Sequence, residues 1–454
     1  MKQRLASKNL FITTLCLVVF ITVWLLALLR NLQTQFVGDS LAFVSRARLM
    51  DQFGYLMHEP IEPYGVPLQS MGYSLGLSLL PDFALHNDHL LRIVVSVIQA
   101  TVFLFASGAL ARAVSGFTGL KKEYFMWPLF LFWPAAVIST ETMSDSLALT
   151  LHLVLGILIL KIFMKQDSFY LWFGLGVTFG LAVVIRPSSI QVSICIAALV
   201  LYALLKTKKR RLTALGVIVF LVGTAIPISP QVVWTKQQFG TYGLVKLDDS
   251  YTLGKSTFVY SQEGRAVWIQ LNGCMPEVDC ALVNRHPSPL ADRAAYYLQP
   301  GPARWDLWLL KDPIGALAQA ALVVHATLDQ EFYFTYLSYP AKESDLVSLI
   351  FNAMLIIAGF VGLFTSTTHG KKLSVVATGT SLLIVPYLLT QFFLFHAENR
   401  YGLPVMAFLY MFSLIGLKRI MSAGSSRNYG RMLYVLSVVI WVTISWSLYV
   451  KPFV

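Results

Sequence analysis

Residues 10–29 read LFITTLCLVVFITVWLLALL, and a short connection later residues 36–43 read FVGDSLAF. The first stretch has no charged residue and is long enough for a helix to cross roughly 30 Å of hydrocarbon. It follows a basic start (Lys2, Arg4, Lys8), is too long for a signal-peptide core and has no small-residue cleavage site after it. It therefore reads as a retained first span. The second stretch puts Asp39 where that span emerges from the bilayer.

Similar apolar runs recur along the 454 residues, at about 90–113, 125–140, 146–164, 169–185, 188–205, 212–229, 346–367, 373–394, 402–420 and 432–450. With the first run they predict an all-α polytopic membrane protein of about eleven transmembrane helices, with its amino terminus inside. Composition agrees, because 56% of the residues are apolar and only 13% charged, against about 25% charged in an ordinary soluble domain. A soluble enzyme built round one large core is excluded.

The net charge of +12 would suggest nucleic acid in a soluble chain. Here it follows topology. The span assignment puts 19 of the 35 Lys and Arg on the inner side, opposed only by Glu123 and Asp167, as short cytoplasmic loops require. The basic run Lys206 to Arg211 is then a cytoplasmic turn, and no nucleic-acid partner is expected. The other carboxylates fall on the outer side, so any acid chemistry happens there.

Two outer segments are long. Residues 30–89 form the first outer loop, and residues 231–345 are enough for a folded periplasmic cap. The expected division is an N-terminal transmembrane module (1–230), the cap (231–345) and C-terminal transmembrane helices (346–454). Trp305 to Leu328, broken by Asp312, Pro313 and Gly315, reads as an interfacial helix. Cys16 and Cys195 lie in spans, whereas Cys274 and Cys280 lie in the cap, where an oxidising compartment would pair them as a disulfide.

Several familiar signatures fail. Leu253-Gly-Lys-Ser256 resembles the end of a phosphate-binding loop, but Asp249 occupies the place of its first glycine. Gly72-Tyr-Ser-Leu-Gly76 fits G-x-S-x-G, yet no strand precedes Ser74 and no His and Asp are placed to serve it. His58-Glu59 does not continue into a zinc motif.

What remains is a set of ionisable residues at the outer boundary. Asp39 sits where partial desolvation favours a proton-accepting carboxylate; Gly-Asp-Ser is equally a good helix start. Glu141 and Asp145 share a very short turn and lie four apart, on one face if helical. Ser144 or Asp145 capping the following span is the plainer account. Arg92, Arg186 and Arg400, the last followed by Tyr401, also lie at this boundary, where the positive-inside rule does not call for them. Each alone suits a snorkelling anchor; together with the three carboxylates they suit a lipid-linked anion.

The order of these pieces resembles the GT-C superfamily of membrane glycosyltransferases, in the branch of protein O-mannosyltransferases and lipid A aminoarabinose transferases. The matching segments are Gly38-Asp39-Ser40, Pro67-Leu68 to Gly72-Tyr73, Leu91-Arg92, Glu141 with Asp145, Gly180 to Pro187, Pro230 and Asn399 to Pro404. The resemblance implies a catalytic Asp39 with Glu141 and Asp145 in a supporting acidic turn. Many relatives carry a second acid where this chain has Ser40, so a divalent metal, though possible, has no paired motif to support it and no cofactor is required.

An outer-face transferase has no nucleotide sugars, so an activated sugar must arrive on a flipped lipid. The expected reaction moves a sugar from a polyprenyl-phosphate donor to an acceptor hydroxyl on a lipid-linked glycan, lipid or protein, by inverting displacement with Asp39 as general base. Arg92, Arg186, Arg400 and Tyr401 would bind the substrate. The expected location is a bacterial inner membrane, in contact with its lipids, with the site facing the periplasm. The alternatives are an O-antigen polymerase or ligase, whose key basic residues concentrate in large outer loops, and a transporter or lipid flippase. A transporter needs ionisable groups near the midplane, and His152 is the main one available there.

Overall fold

The computed structural model describes residues 2–36, 38–54, 71–164, 168–206, 210–240, 242–243, 345–367, 371–394, 399–422 and 427–449, with a few positions between 313 and 328. Among them every regular element is helical. The chain is an integral membrane protein. Among the described residues seven helices are long and apolar enough to cross a bilayer: Asn9–Asn31, Asp88–Thr118, Ser144–Met164, Ala214–Gln237, Leu349–Thr367, Lys372–Leu389 and Gly402–Ser422. Phe169–Ile185, Pro187–Leu201 and Gly430–Ser445 are shorter apolar helices.

Residues 125–140, expected as one span, form two helices. With α1 (Lys2–Asn31), α2 (Gly38–Phe53), α3 (Gly72–Ser78), α4 (Asp82–Leu85) and α5 (Asp88–Thr118) preceding them, these are α6 (Glu123–Phe130) and α7 (Trp133–Ile138). Pro128 and Pro134 each remove a backbone donor from a helical ladder, and the chain breaks between them at Leu131 and Phe132. Mean hydropathy is blind to that. The two pieces still follow α1 along its length: Trp127 Nε1 donates to Thr13 Oγ1 at 2.9 Å, and Asn31 Nδ2 donates to Thr140 Oγ1 at 2.7 Å.

The helices α8 (Ser144–Met164), α9 (Phe169–Ile185), α10 (Val192–Lys206) and α11 (Arg210–Phe239) follow, with a 3-10 turn at Pro187–Gln191 between α9 and α10. α9 and α11 meet backbone to backbone. A Cβ at Gly180 would stand 2.5 Å from Pro227 Cγ and 2.7 Å from the Thr224 carbonyl oxygen, and one at Gly223 would stand 2.7 Å from that of Phe173. Small residues permit this approach where no hydrophobic drive separates helix from lipid.

α11 also runs past Pro230, where the outer segment was expected to begin, to Phe239. Burial of Gln231, Trp234 and Thr235 explains the continuation: Trp234 packs with Met50 and Met71, and Gln231 Oε1 accepts from the Met71 amide at 2.8 Å. The residues between α1 and α5 are thereby docked. Ser40, Phe43, Val44 and Ala47 form one buried face of α2. Phe43, Val44 and Ala47 pack with Tyr73, Leu77, Leu85, Leu91, Val95 and Ile185, flanked by Leu147 and Leu151. This cluster joins the loop helices to α5, α8 and the end of α9.

The chain divides into two units, one of residues 1–246, 359–387 and 407–417, the other of 247–358, 388–406 and 418–454. The second unit contains most of α12 (Asp345–Thr367), the start of α14 (Asn399–Ser422) and α15 (Arg427–Tyr449); most of α13 (Lys371–Leu394) belongs to the first. In the second unit the Tyr434 hydroxyl donates to the Met354 carbonyl at 2.9 Å and Asn352 Nδ2 to that of Leu328 at 3.0 Å.

Candidate active site

The site lies wholly within the first unit and is assembled at the ends of helices. α1 stops at Asn31, and Phe36 is buried before α2 starts at Gly38. Asp39 is the second residue of α2, so its backbone is already in the first helical turn, where the helix dipole favours a carboxylate. Its side chain lies outside the described residues; its neighbours are placed. Phe36, three before it, lies under the Arg92 guanidinium, 4.1 Å from carbon to ring centroid. Phe43, four after it, meets the Tyr73 ring edge-on at 4.9 Å.

Between α7 and α8, the turn of residues 139–143 carries Glu141, which is only 8% exposed. Asn31 Nδ2 donates to Glu141 Oε1 at 2.8 Å, and Gln99 Nε2 on α5 donates to the Glu141 carbonyl oxygen at 2.8 Å. Burial raises the Glu141 carboxyl to about 7, with Asp145 acting in the same sense and Arg92, the Asn31 hydrogen bond and Arg30 opposing. Glu141 is thus poised between its charged and neutral forms near neutral pH.

Asp145, in the first turn of α8, is buried and ion-paired with Arg186 at the end of α9. The Arg186 residue ends the helix because Pro187 follows it, and its Nε donates to Ser188 Oγ at 3.0 Å. Two cations therefore stand among two carboxylates: Arg186 is ion-paired with Asp145, and Arg92 acts on Glu141 through its charge. A carboxylate as buried as that of Asp145 is sustained by such a partner.

Sequence reasoning missed Asn31 and Gln99, and it gave Tyr73 no role beyond its place in the Gly72-Tyr73 segment. The signal available for the first two was a neutral polar residue in or at the end of an apolar run. Tyr73 is 4% exposed. Burial, and then the charges of Asp145 and Glu141, push its hydroxyl well above the usual tyrosine range. That hydroxyl, with Ser74 Oγ, Ser96 Oγ and Thr142 Oγ1, is buried with no hydrogen-bond partner among the described residues. Buried polar groups are nearly always paired, so four such hydroxyls on the elements that carry the ionisable cluster are donors fit for a polar ligand. Gly72 lets α3 approach the end of α9, since a Cβ there would stand 2.7 Å from the Val184 carbonyl oxygen.

Arg400 and Tyr401 open α14 and belong to the second unit; their side chains, like Cys274 and Cys280 altogether, lie outside the described residues. His152 is buried in α8, its Nδ1 donating to the Ala148 carbonyl at 2.6 Å and its ring edge-on to Tyr387. The described residues contain one set of three metal-type donors, Asp51, Asp82 and His86, at the far end of α2 from Asp39.

This arrangement of helices is the GT-C fold of membrane glycosyltransferases. The chain is similar in structure to the oligosaccharyltransferase of Archaeoglobus fulgidus in its apo form, with a TM-score of 0.54 at 13% identity over 97% of this chain and 54% of that one. It is similar also to the same organism's oligosaccharyltransferase AglB in complex with an inhibitory peptide and a dolichol-phosphate, with a TM-score of 0.53 at 12% identity over 97% and 56%. ArnT from Cupriavidus metallidurans aligns over 90% of this chain and 78% of its own at 15% identity, with a TM-score of 0.39. The chain spans about half the length of the two archaeal structures. No family model and no curated protein matches the sequence.

Proposed function

We propose that this protein transfers a sugar from a polyprenyl-phosphate donor to an acceptor hydroxyl at the outer face of a bacterial inner membrane. The observation that carries the reading is the bracketing of Asp39. Asp39 stands in the chain between Phe36, which lies under Arg92, and Phe43, which lies on Tyr73. Its backbone at the head of α2 is therefore flanked by one residue against a buried cation and one against a buried phenol. The fold, shared with an oligosaccharyltransferase whose structure contains a dolichol-phosphate, favours the same class of donor.

In this reaction the acceptor oxygen attacks the anomeric carbon as Asp39 takes its proton. The bond from that carbon to the phosphate oxygen breaks, and its electron pair leaves with the phosphate. Inversion follows from the single displacement. Arg92 and Arg186 neutralise the leaving phosphate, whose charge is best met by preorganised donors in a water-poor site. Tyr73 adds a hydroxyl donor. Glu141 and Asp145 act on the reaction through others: Asp145 orients Arg186, and Glu141 ties the end of α1 to α5 through Asn31 and Gln99. The acceptor is a lipid-linked glycan, a lipid or a protein.

The test uses the purified protein in proteoliposomes, given polyprenyl phosphate carrying a labelled sugar and a cell-envelope fraction as the acceptor pool. The expected result is label in a new covalent product together with free polyprenyl phosphate. Movement of intact donor across the bilayer with no new product would instead establish a flippase.

A further inference from the structure

The loop between α1 and α5 holds a second group of chemically able side chains, independent of the transfer site. Asp51 lies in the last turn of α2, Asp82 opens α4 and His86 follows its end. The His86 Nε2 atom is 3.3 Å from Asp51 Oδ2. One ligand atom from each of the three residues lies within 4.8 Å of the other two.

That spacing is close to what a small divalent ion imposes. Zinc binds nitrogen and oxygen at ~2.0–2.1 Å in a tetrahedron, which sets neighbouring donor atoms ~3.4 Å apart. The Asp51 to His86 edge already has this length. Asp82 must approach by at most about 1.4 Å to complete the triangle, a movement that one exposed side chain makes by rotation. All three residues are exposed, which leaves the fourth position to water.

The backbone under the three donors is already fixed by something else. Arg48 donates from Nε and from a terminal nitrogen to the Leu85 carbonyl at 3.0 Å each, and that terminal nitrogen also meets Asp88 at 2.5 Å. This clamp holds α4 and the start of α5 against α2, and it directs the guanidinium to Asp88. Among the described residues, His86 is the sole basic side chain within ion-pair reach of Asp51, and no ion pair forms at Asp82. One imidazole and two carboxylates thus stand together on a preformed scaffold. One nitrogen among oxygens suits zinc or a similar transition ion better than calcium or magnesium, which prefer oxygen throughout.

We propose that Asp51, Asp82 and His86 bind a divalent transition ion, zinc being the best fit, which fastens α4 to the end of α2. Asp51 lies twelve residues beyond Asp39, about 18 Å along the helix. The ion is therefore a brace for the helix that carries Asp39 and takes no part in the transfer step.

The experiment is zinc titration of the tag-free full-length protein in detergent, after chelator treatment and dialysis, by competition with a fluorescent zinc indicator and by thermal unfolding. The expected result is saturable uptake of one equivalent and a rise in melting temperature. The conservative Asp82→Asn, which leaves the His86 to Asp51 contact in place, should weaken uptake by about tenfold or more, since loss of one charged ligand of three removes at least ~1.4 kcal/mol. His86→Ala should abolish the thermal shift, and calcium at the same concentration in place of zinc should produce none. Three results would overturn the proposal: no uptake by the wild type, equal uptake by wild type and both variants, or an equal shift with calcium. The first would leave His86 and Asp51 as a simple ion pair.

Discussion

The body of α9 and the residue that caps its end are held by opposite means. Along the body, Gly176 and Gly180 bring the helix against the backbone of α11, and contact there is made by removing side chains. At its end, Arg186 reaches Asp145 on α8, and contact is made by two charges that could not be buried singly. The first interface tolerates no added atom, and the second no removed charge. The lesson is that the close-packed helix bodies provide shape, while the paired charges gather where the helices end.

The largest expected effect comes from breaking the charged contact. Asp145→Ala removes the buried carboxylate that faces the Arg186 side chain, itself only 11% exposed, and truncating one member of such a pair typically costs about 3–5 kcal/mol. Thermal unfolding in detergent would show it as a large fall in melting temperature. The double variant Asp145→Ala/Arg186→Met should recover part of the loss, because no charge is then stranded. A double variant no better than the single one would mean that the pair is not what holds α8 to the end of α9.

Breaking the close contact should cost less. At Gly176 a methyl group would run into the Phe220 carbonyl oxygen on α11, and overpacking of this kind costs typically about 1–3 kcal/mol. Gly174→Ala is the control, because a Cβ there comes no nearer than 3.8 Å to Leu158. Equal stability of Gly176→Ala and Gly174→Ala would contradict the packing described for α9 and α11.

A smaller effect, visible only through pH, is expected at Glu141. Its carboxyl stands at about 7 in the folded protein against 4.5 for the free group, so the folded state holds a proton that the unfolded state has released. Stability from this group is therefore complete below about pH 4.5 and is lost as pH rises through about 7. Relative to the wild type, Glu141→Gln should lack this decline. Parallel curves of melting temperature against pH for the two proteins would show that Glu141 stays ionised in its pocket.

Much of this was legible in the sequence because hydrophobic runs and boundary charges are local signals. The apolar runs locate the long helices, and the charges of Arg92, Glu141, Asp145 and Arg186 stand out against apolar neighbours. The break in residues 125–140 was not legible from hydropathy, although Pro128 and Pro134 were visible, since both prolines sit in an apolar run of full length. Nor was the continuation of α11 beyond Pro230, which depends on Trp234 and Gln231 packing against residues far away in the chain. Asn31 and Gln99 were hidden for a related reason. Asn31 meets Glu141 across 110 residues, and no local pattern announces such a partner.

The central claim, that chemistry at this boundary turns on a carboxylate at the head of α2, is tested most directly at Asp39. Asp39→Asn preserves size and hydrogen-bonding capacity while removing the base. The measurement is the rate of labelled-sugar transfer from polyprenyl phosphate by the purified variant, with its melting temperature recorded beside that of the wild type. Loss of a general base commonly lowers the rate by about 10² to 10⁴, and a fall of that size with an unchanged melting temperature is the predicted result. Transfer at close to the wild-type rate would contradict the account and leave Asp39 as a residue that only starts a helix.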